Sequence, residues 1–402
     1  MTTAPSQETA ASRISALDGL RGVTIVLVVV GHAGNLLWPL DTVNTVPFLR
    51  GFFGGGAVGV FFVVGGYIVT RGLLRSLEQD TFDAVRFYLR RLVRLGVQVV
   101  PLALAVLLIH AFDPTDPYST RATVESALNV VTHTTNLHAS TDLLNIRADL
   151  GHMWYLAVQQ QVYLVLPFVL LLLARRRLVL GLALAELVVA SILWRHHVLE
   201  ASGWIDATIS TLARADTVLT GALVAVAVAA VARWRHLAPT ALALGAAGLV
   251  GLMAVLQELG DFAYLRTWGV LYTLAAGITV LAIALLDRPT RVSRLLSVAP
   301  LTWLGRASLA IFVWHLPLFM LVERHTKSWT WQPRAITALA LLAAIVWVTH
   351  RALDEPARLW LRTHLRAPAP LPHANPRAER TDDRHDDRPA QQVGTAGPGG
   401  TP

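Results

Sequence analysis

Apolar residues along this chain come in long blocks separated by short polar, arginine-rich stretches. Residues 97–112, 155–174, 215–232, 268–286 and 335–350 each approach or meet the length of a membrane span. A bilayer core of about 30 Å takes about 20 mostly apolar residues in a helix. Read from end to end, the pattern predicts ten spans, at roughly 17–39, 56–74, 95–112, 155–174, 178–194, 214–232, 239–257, 268–286, 301–322 and 335–353. The expected fold class is therefore an all-α polytopic membrane helical bundle.

Composition agrees. The 402 residues are 54% hydrophobic and 15% charged, with a mean hydropathy of +0.51. A soluble domain carries roughly a quarter charged residues. The net charge of +8 would suggest nucleic acid for a soluble chain. Here the arginines border apolar blocks, so topology is the better explanation and no nucleic-acid partner is expected. With the N-terminus placed inside, the inner connections are short and dense in arginine, from Arg71, Arg75, Arg86, Arg90, Arg91 and Arg94 to Arg288, Arg291 and Arg294. The outer connections carry fewer over more residues, which predicts both termini on the cytoplasmic side.

Three regions follow: a polar tail over 1–12 with no separate cleavable signal, a membrane domain over 13–366, and a Pro-, Gly- and charge-rich cytoplasmic tail over 367–402 that is expected to be disordered. The connection over 113–152, with Asp113, Asp116, Glu125, Asp142 and Asp149, reads either as a solvated loop with one short helix or as a lid over an outward-opening site. Gly54-Gly55-Gly56, at a span start, is expected to permit close helix packing. Cysteine is absent, which excludes disulfides, a thiolate nucleophile and cysteine-ligated metal. The histidines are scattered over different spans, so no metal site is expected.

Ionisable groups inside a membrane are costly and are functional candidates by default. The first span offers Arg21 near its start and His32 eleven positions later. Eleven residues is close to three helical turns and about 16 Å of rise, so both side chains are expected on one helix face. An anionic cofactor entering from the cytoplasm would set its phosphates on Arg21 and bring its reactive end to His32, where a neutral imidazole suits a general base. The plain alternative is a snorkelling arginine and a histidine bonded to a neighbouring helix. Arg90, Arg91 and Arg94 read either as a phosphate cradle or as a topology signal. Glu186 falls in the middle of the fifth span. His315, in Trp314-His315-Leu316-Pro317, reads first as a bonded structural histidine. Arg214 and Asp216 are placed to pair with each other. Gln159, Gln160 and Gln161 either line a polar cavity or bond across helices.

Taken in order, these segments resemble the acyltransferase 3 family of bacterial membrane O-acyltransferases. Leu17-Asp18-Gly19-Leu20-Arg21-Gly22 followed by His32 matches its opening motif. Gly59 to Thr70 resembles its second-span motif, and Phe87-Tyr88-Leu89-Arg90-Arg91-Leu92-Val93-Arg94 its arginine motif. Met153-Trp154-Tyr155-Leu156-Ala157-Val158, running on to Gln161, Tyr163 and Pro167, is similar to its fourth-span motif. Arg214-Ala215-Asp216 with Gly221, and Leu304-Gly305 with Ser308 and Trp314 to Pro317, resemble two more. The likeness covers about residues 13–362.

The resemblance implies transfer of an acyl group, acetyl above all, from cytoplasmic acyl-CoA to a hydroxyl of a carbohydrate, glycolipid or glycosylated metabolite, by a multi-pass protein of the bacterial cytoplasmic membrane. No cofactor would be bound permanently; acyl-CoA is a substrate. Arg21 would hold CoA, helped by Arg90, Arg91 and Arg94. His32 would take or relay the acceptor proton, or transiently carry the acyl group. Arg214, His315, Trp154, Gln159 and Tyr163 become candidate substrate contacts. The family's fourth-span motif has an acid where this chain has Gln159 or Gln160, so its role is lost or moved, with Glu186 as the candidate replacement. Pro101 stands later than the family's proline after the arginine motif. Many members carry a soluble esterase-like domain after the membrane part, where this chain has a polar tail; it is expected to work alone or with a partner. The alternatives are a transporter or flippase of a glycan or lipid intermediate, and a membrane receptor or scaffold. The latter gives no reason for the Arg21–His32 spacing.

Overall fold

The computed structural model describes residues 7–34, 36–39, 57–256, 259 and 262–365. Gly54 to Gly56 and the tail over 367–402 lie outside the described residues. In chain order the α-helices are α1 (Gln7–Ala33), α2 (Ala57–Glu78), α3 (Ala84–Phe112), α4 (Thr120–Val131), α5 (Thr135–Thr141), α6 (Trp154–Leu173), α7 (Arg177–Ala201), α8 (Trp204–Ile209), α9 (Thr211–Ala230), α10 (Ala238–Val255), α11 (Thr267–Leu285), α12 (Arg291–Leu296), α13 (Ala299–His325), α14 (Trp331–Thr349) and α15 (Glu355–His364). Apart from one isolated bridge between Gly34 and Trp38, no extended pairing occurs among the described residues. Among the described residues ten segments are long and apolar enough to cross a membrane, as the block pattern requires, and the chain is a multi-pass membrane protein.

The spans extend past the apolar blocks wherever capping allows. α3 starts at Ala84, eleven positions ahead of the expected 95, because the Asp83 side chain accepts from the Arg86 backbone amide at 3.0 Å. Arg90, Arg91 and Arg94 therefore stand on a helix, with a helix's periodicity, and not in a connection. α1 likewise begins at Gln7, inside the stretch expected as a tail.

Two helix pairs form the framework that positions the site. α1 runs parallel to α13: Asp18 meets Gly305, Arg21 meets Ser308 and His32 meets His315. A Cβ on Gly19 would overlap the Leu296 carbonyl, and one on Gly305 the Asp18 carbonyl. Only glycine allows that approach. α2 packs on α9 in the same manner, through Gly66 and Gly221.

The connection over 113–152 is no open loop with a single helix. It contains α4, α5 and two 3₁₀ segments, Leu143–Asn145 and Ala148–Met153, and α4 packs back along α3. Arg147 staples it. Only 1% of its side chain is exposed, and it pairs with Asp116 at 2.8 Å and Asp149 at 2.7 Å. Arg324, from the end of α13, pairs with Asp116 at 2.9 Å and also with Asp113. Asp113 is held well below the usual carboxylate range by hydrogen bonds from the Thr115 hydroxyl and amide, with Arg324 and His325 adding to the effect. Burial works against ionisation of Asp116, but Arg147 and His110 outweigh it and lower its pKa.

Candidate functional site

α1, α13 and the 3₁₀ segment before α6 together place three imidazoles side by side. His315 Nε2 lies 3.0 Å from His32 Nδ1. The third is His152, at the end of the 3₁₀ segment before α6; its ring centroid is 5.0 Å from that of His315 and 6.4 Å from that of His32. His152 and His315 are buried, and His32 is half-buried.

The hydrogen bonds assign the tautomers. His315 Nδ1 is 2.7 Å from the Phe312 carbonyl, so it carries the proton and leaves Nε2 as an acceptor. His32 Nδ1, 3.1 Å from the Val28 carbonyl, must then donate to that acceptor. This leaves the His32 Nε2 lone pair without a partner among the described residues. His152 Nε2 donates to the same Phe312 carbonyl at 2.9 Å, and its Nδ1 is buried with no hydrogen-bond partner among the described residues. One backbone carbonyl therefore orients two rings. Pro317, inside α13, has no amide proton for the Val313 carbonyl, so the helix is loosened beside the cluster. Because these protons are committed to backbone, the rings are not turned inward together. Among the described residues no group of His, Cys, Asp or Glu is arranged to hold a metal ion.

A buried polar chain supports the cluster from the other side of α13. Trp314 Nε1 donates to Gln98 Oε1 at 3.1 Å, and Gln98 Nε2 donates to Asp354 Oδ1 at 2.9 Å. Asp354 closes a π-helical segment, His350–Asp354, between α14 and α15. Such π turns are frequent at functional sites.

Beside the cluster lies a cavity of about 440 Å3, at the end of the bundle where α1 begins. Arg21, Arg86, Arg90, Arg91 and Arg94 line it. Arg21 Nη2 donates to Ser308 Oγ at 2.6 Å, and its only ion-pair partner among the described residues is Asp18 at 3.6 Å. Arg91 Nε donates to Gln160 Oε1 at 3.1 Å, and its guanidinium lies over the Tyr163 ring at 3.9 Å. Gln160 Nε2 and the Tyr163 hydroxyl are buried without hydrogen-bond partners among the described residues. Five guanidiniums with few carboxylates, and unsatisfied polar atoms beneath them, describe a site for an anion with further polar groups. The cavity ends on Tyr155 and Phe312, whose rings are 5.3 Å apart. Phe312 in turn touches the His152 ring at 5.0 Å.

Arg21 and His32 do share a helix face, since both meet α13. His315 is paired with His32. Gln159 and Tyr163 line the arginine cavity, whereas Gln161 ties α6 to the cap by donating to the His133 carbonyl and to Asn136 Oδ1, each at 2.9 Å. Other expectations are corrected. Arg214 and Asp216 do not pair: two positions apart, they point to different sides of α9. Asp216 pairs with Arg195 at 2.6 Å, both 1% exposed, and Arg214 donates to the Tyr264 hydroxyl at 3.1 Å. Arg214 and Trp154 line neither this cavity nor the second one described below; Trp154 packs on Phe62 and Tyr155. Glu186 cannot replace an acid at position 160. It is exposed on the side of α7 away from the face formed by Leu184, Ser191 and Arg195. His152 was not singled out from sequence. It precedes the fourth apolar block, and no helical spacing ties it to His32 or His315.

A family model described as an acyltransferase domain, acyltransferase 3, matches residues 14–350. The chain is 26% identical over 374 residues to the peptidoglycan O-acetyltransferase OatA of Listeria monocytogenes, covering 86% of this chain and 56% of that protein. It is 24% identical over 358 residues to the O-acetyltransferase OatA of Staphylococcus aureus, covering 85% of this chain and 57% of that protein. The chain thus spans little more than half the length of these relatives. An uncharacterized protein of Haemophilus influenzae is 28% identical over 118 residues, which are 28% of this chain and 48% of that protein. No solved structure is matched. The match over residues 14–350, on a bundle that brings the motif residues Arg21, His32 and His315 together, means that the chain belongs to the acyltransferase 3 family.

Proposed function

We propose that this chain is an O-acyltransferase that moves an acyl group, acetyl in the first instance, from acyl-CoA to a hydroxyl of a carbohydrate. The observation that carries this reading is the five-arginine cavity that runs up to the aromatic pair in front of the histidines. A CoA molecule is a polyanion with a long polar arm ending in a thioester. Arg86, Arg90, Arg91 and Arg94 suit its phosphates. Arg21 and the open amide of Gln160 suit the arm, and the thioester would reach the histidines past Phe312. The names of the relatives support a cell-wall polysaccharide as the acceptor class.

The chemistry follows from the tautomers. The acceptor oxygen attacks the thioester carbonyl while its proton passes to His32 Nε2. The imidazolium that forms is stabilised by the His315 Nε2 acceptor at 3.0 Å. The carbon–sulfur bond then breaks, the acyl group stays on the acceptor oxygen, and the proton goes to the leaving CoA sulfur. A positioned general base is worth about 10²–10⁴-fold in rate.

Acetyl-CoA turnover by purified protein in nanodiscs tests the reading. His32→Ala is expected to lower kcat by at least about 100-fold at unchanged acetyl-CoA affinity. Arg21→Ala is expected to weaken that affinity. A folded His32→Ala protein with full activity would sink the assignment, and absence of CoA release with host glycan and lipid added would favour a transporter.

A further inference from the structure

A second cavity, of about 290 Å3, opens at the opposite end of the bundle, beneath the cap. Its position is fixed by the same two segments that hold the histidines. Along α13, Ser308 and Phe312 line the arginine cavity, His315 is in the cluster, and Pro317 and Arg324 line the second cavity. Along the chain leading into α6 the order is repeated: Asp149 lines the second cavity, His152 is in the cluster, and Tyr155 lines the first. The three imidazoles therefore lie between two cavities. Phe312 and Pro317 are only about 7.5 Å apart along a helix axis.

The two cavities differ in chemistry. The first is strongly cationic. In the second, Arg324 is neutralised by Asp113 and Asp116, and Asp149 by Arg147. The side chains of Glu323 and Lys327, one turn apart, make no hydrogen bond or ion pair among the described residues. With Tyr118 they offer hydrogen-bond donors and acceptors in near balance of charge, over an apolar floor that includes Pro317 and Met320. That lining suits a neutral polyhydroxylated ring better than a phosphate, and the volume, at the lower end of the roughly 300–1,000 Å3 of small-molecule sites, suits one ring.

We infer that this second cavity is the acceptor site. It holds the saccharide unit to be acylated and presents its hydroxyl to the histidines from the side opposite the acyl donor. The inference rests on the acyl-transfer reading, but it has a readout of its own. Lys327 is the only lysine in the chain. Acylation of its amine by an N-hydroxysuccinimide ester can be followed by peptide mass, and a chitin oligosaccharide is the probe. Saturating oligosaccharide is expected to slow Lys327 labelling at least about 5-fold, and Met320→Trp, which fills the cavity, to raise the oligosaccharide KM about 10-fold without moving the acetyl-CoA Kd. Protection without any acetyl-CoA turnover would uphold the saccharide site and sink the acyl-transfer reading. Turnover onto the oligosaccharide with unprotected Lys327 and an unchanged KM in Met320→Trp would overturn the site and leave the reading standing.

Discussion

Single residues at this site act through what they leave unpaired. An amide at position 160 accepts from Arg91 at 3.1 Å but does not cancel its charge. Gln160→Glu would pair with Arg91 in a low-dielectric setting and withdraw it from an anionic ligand. Acetyl-CoA Kd is expected to rise about 3–10-fold, read by titration calorimetry; unchanged or tighter binding would remove Arg91 from the phosphate cradle. His152 acts through its neighbours, since its ring packs against His315 at 5.0 Å and its Nε2 proton is spent on the Phe312 carbonyl that also orients His315. His152→Ala leaves the Phe312 carbonyl with His315 as a donor, so a modest loss of stability is expected. If His152 tunes the relay, kcat falls about 10–100-fold with acetyl-CoA Kd constant. A drop in melting temperature alone, with kcat intact, would make it structural.

At the scale of helices, the parallel contact between α1 and α13 decides whether the groups meet at all. Arg21 with Ser308 and His32 with His315 are successive rungs of one interface, set by glycines below them. Gly305→Val would drive a side chain into the Asp18 carbonyl, which is backbone and cannot swing aside. Overpacking costs typically 1–3 kcal/mol even when it is tolerated. The expected outcome is a lower melting temperature together with loss of acetyl transfer, because separation at Gly305 also separates the histidines four turns or fewer away. Retained activity at wild-type stability would contradict the shared-rung picture. Gly65→Ala is the contrasting case. Its Cβ would come within 2.5 Å of the Tyr163 hydroxyl and 2.6 Å of Gln159 Nε2, both movable side-chain ends, so the fold should survive while the arginine cavity shrinks.

For the whole molecule, the cap is held by ion pairs where most of the bundle is held by apolar packing. Asp113 and Asp116 titrate lower in the fold than in the unfolded chain. Their contribution is therefore present in full above the ordinary carboxylate pKa of about 4 and is lost as pH falls towards their folded values. Thermal melts in detergent should show the midpoint falling as pH drops from about 5 to about 2, and Arg147→Met, which leaves the buried Asp149 without its ion-pair partner and Asp116 with only Arg324 and His110, should cost about 3–5 kcal/mol at neutral pH. A melt insensitive to acid would contradict the staple. The lack of cysteine gives a clean test of orientation. A single cysteine at Thr115 is expected to react with an impermeant maleimide on intact cells, and one at Asp80 only after permeabilisation; the reverse pattern would invert the topology.

The number of spans and the all-helical class were legible in the chain because ten apolar blocks of bilayer length admit few other arrangements. The shared face of Arg21 and His32 was legible too, since both lie on one helix and helical geometry is local. Contacts between helices were not. That Asp216 takes Arg195 as its partner, that His152 joins His32 and His315, and that Glu186 faces outward all depend on which faces of distant segments meet. Periodicity says where a face is, but only packing says what it touches. The sequence left the cap open between a loop and a lid for the same reason: its order comes from Arg147 and Arg324 reaching carboxylates far away in sequence. The chain by itself determined the bundle and its candidate groups. The tertiary structure decided the tautomers and the two cavities on either side of the histidines, because those follow from side chains meeting across helices that no local rule connects.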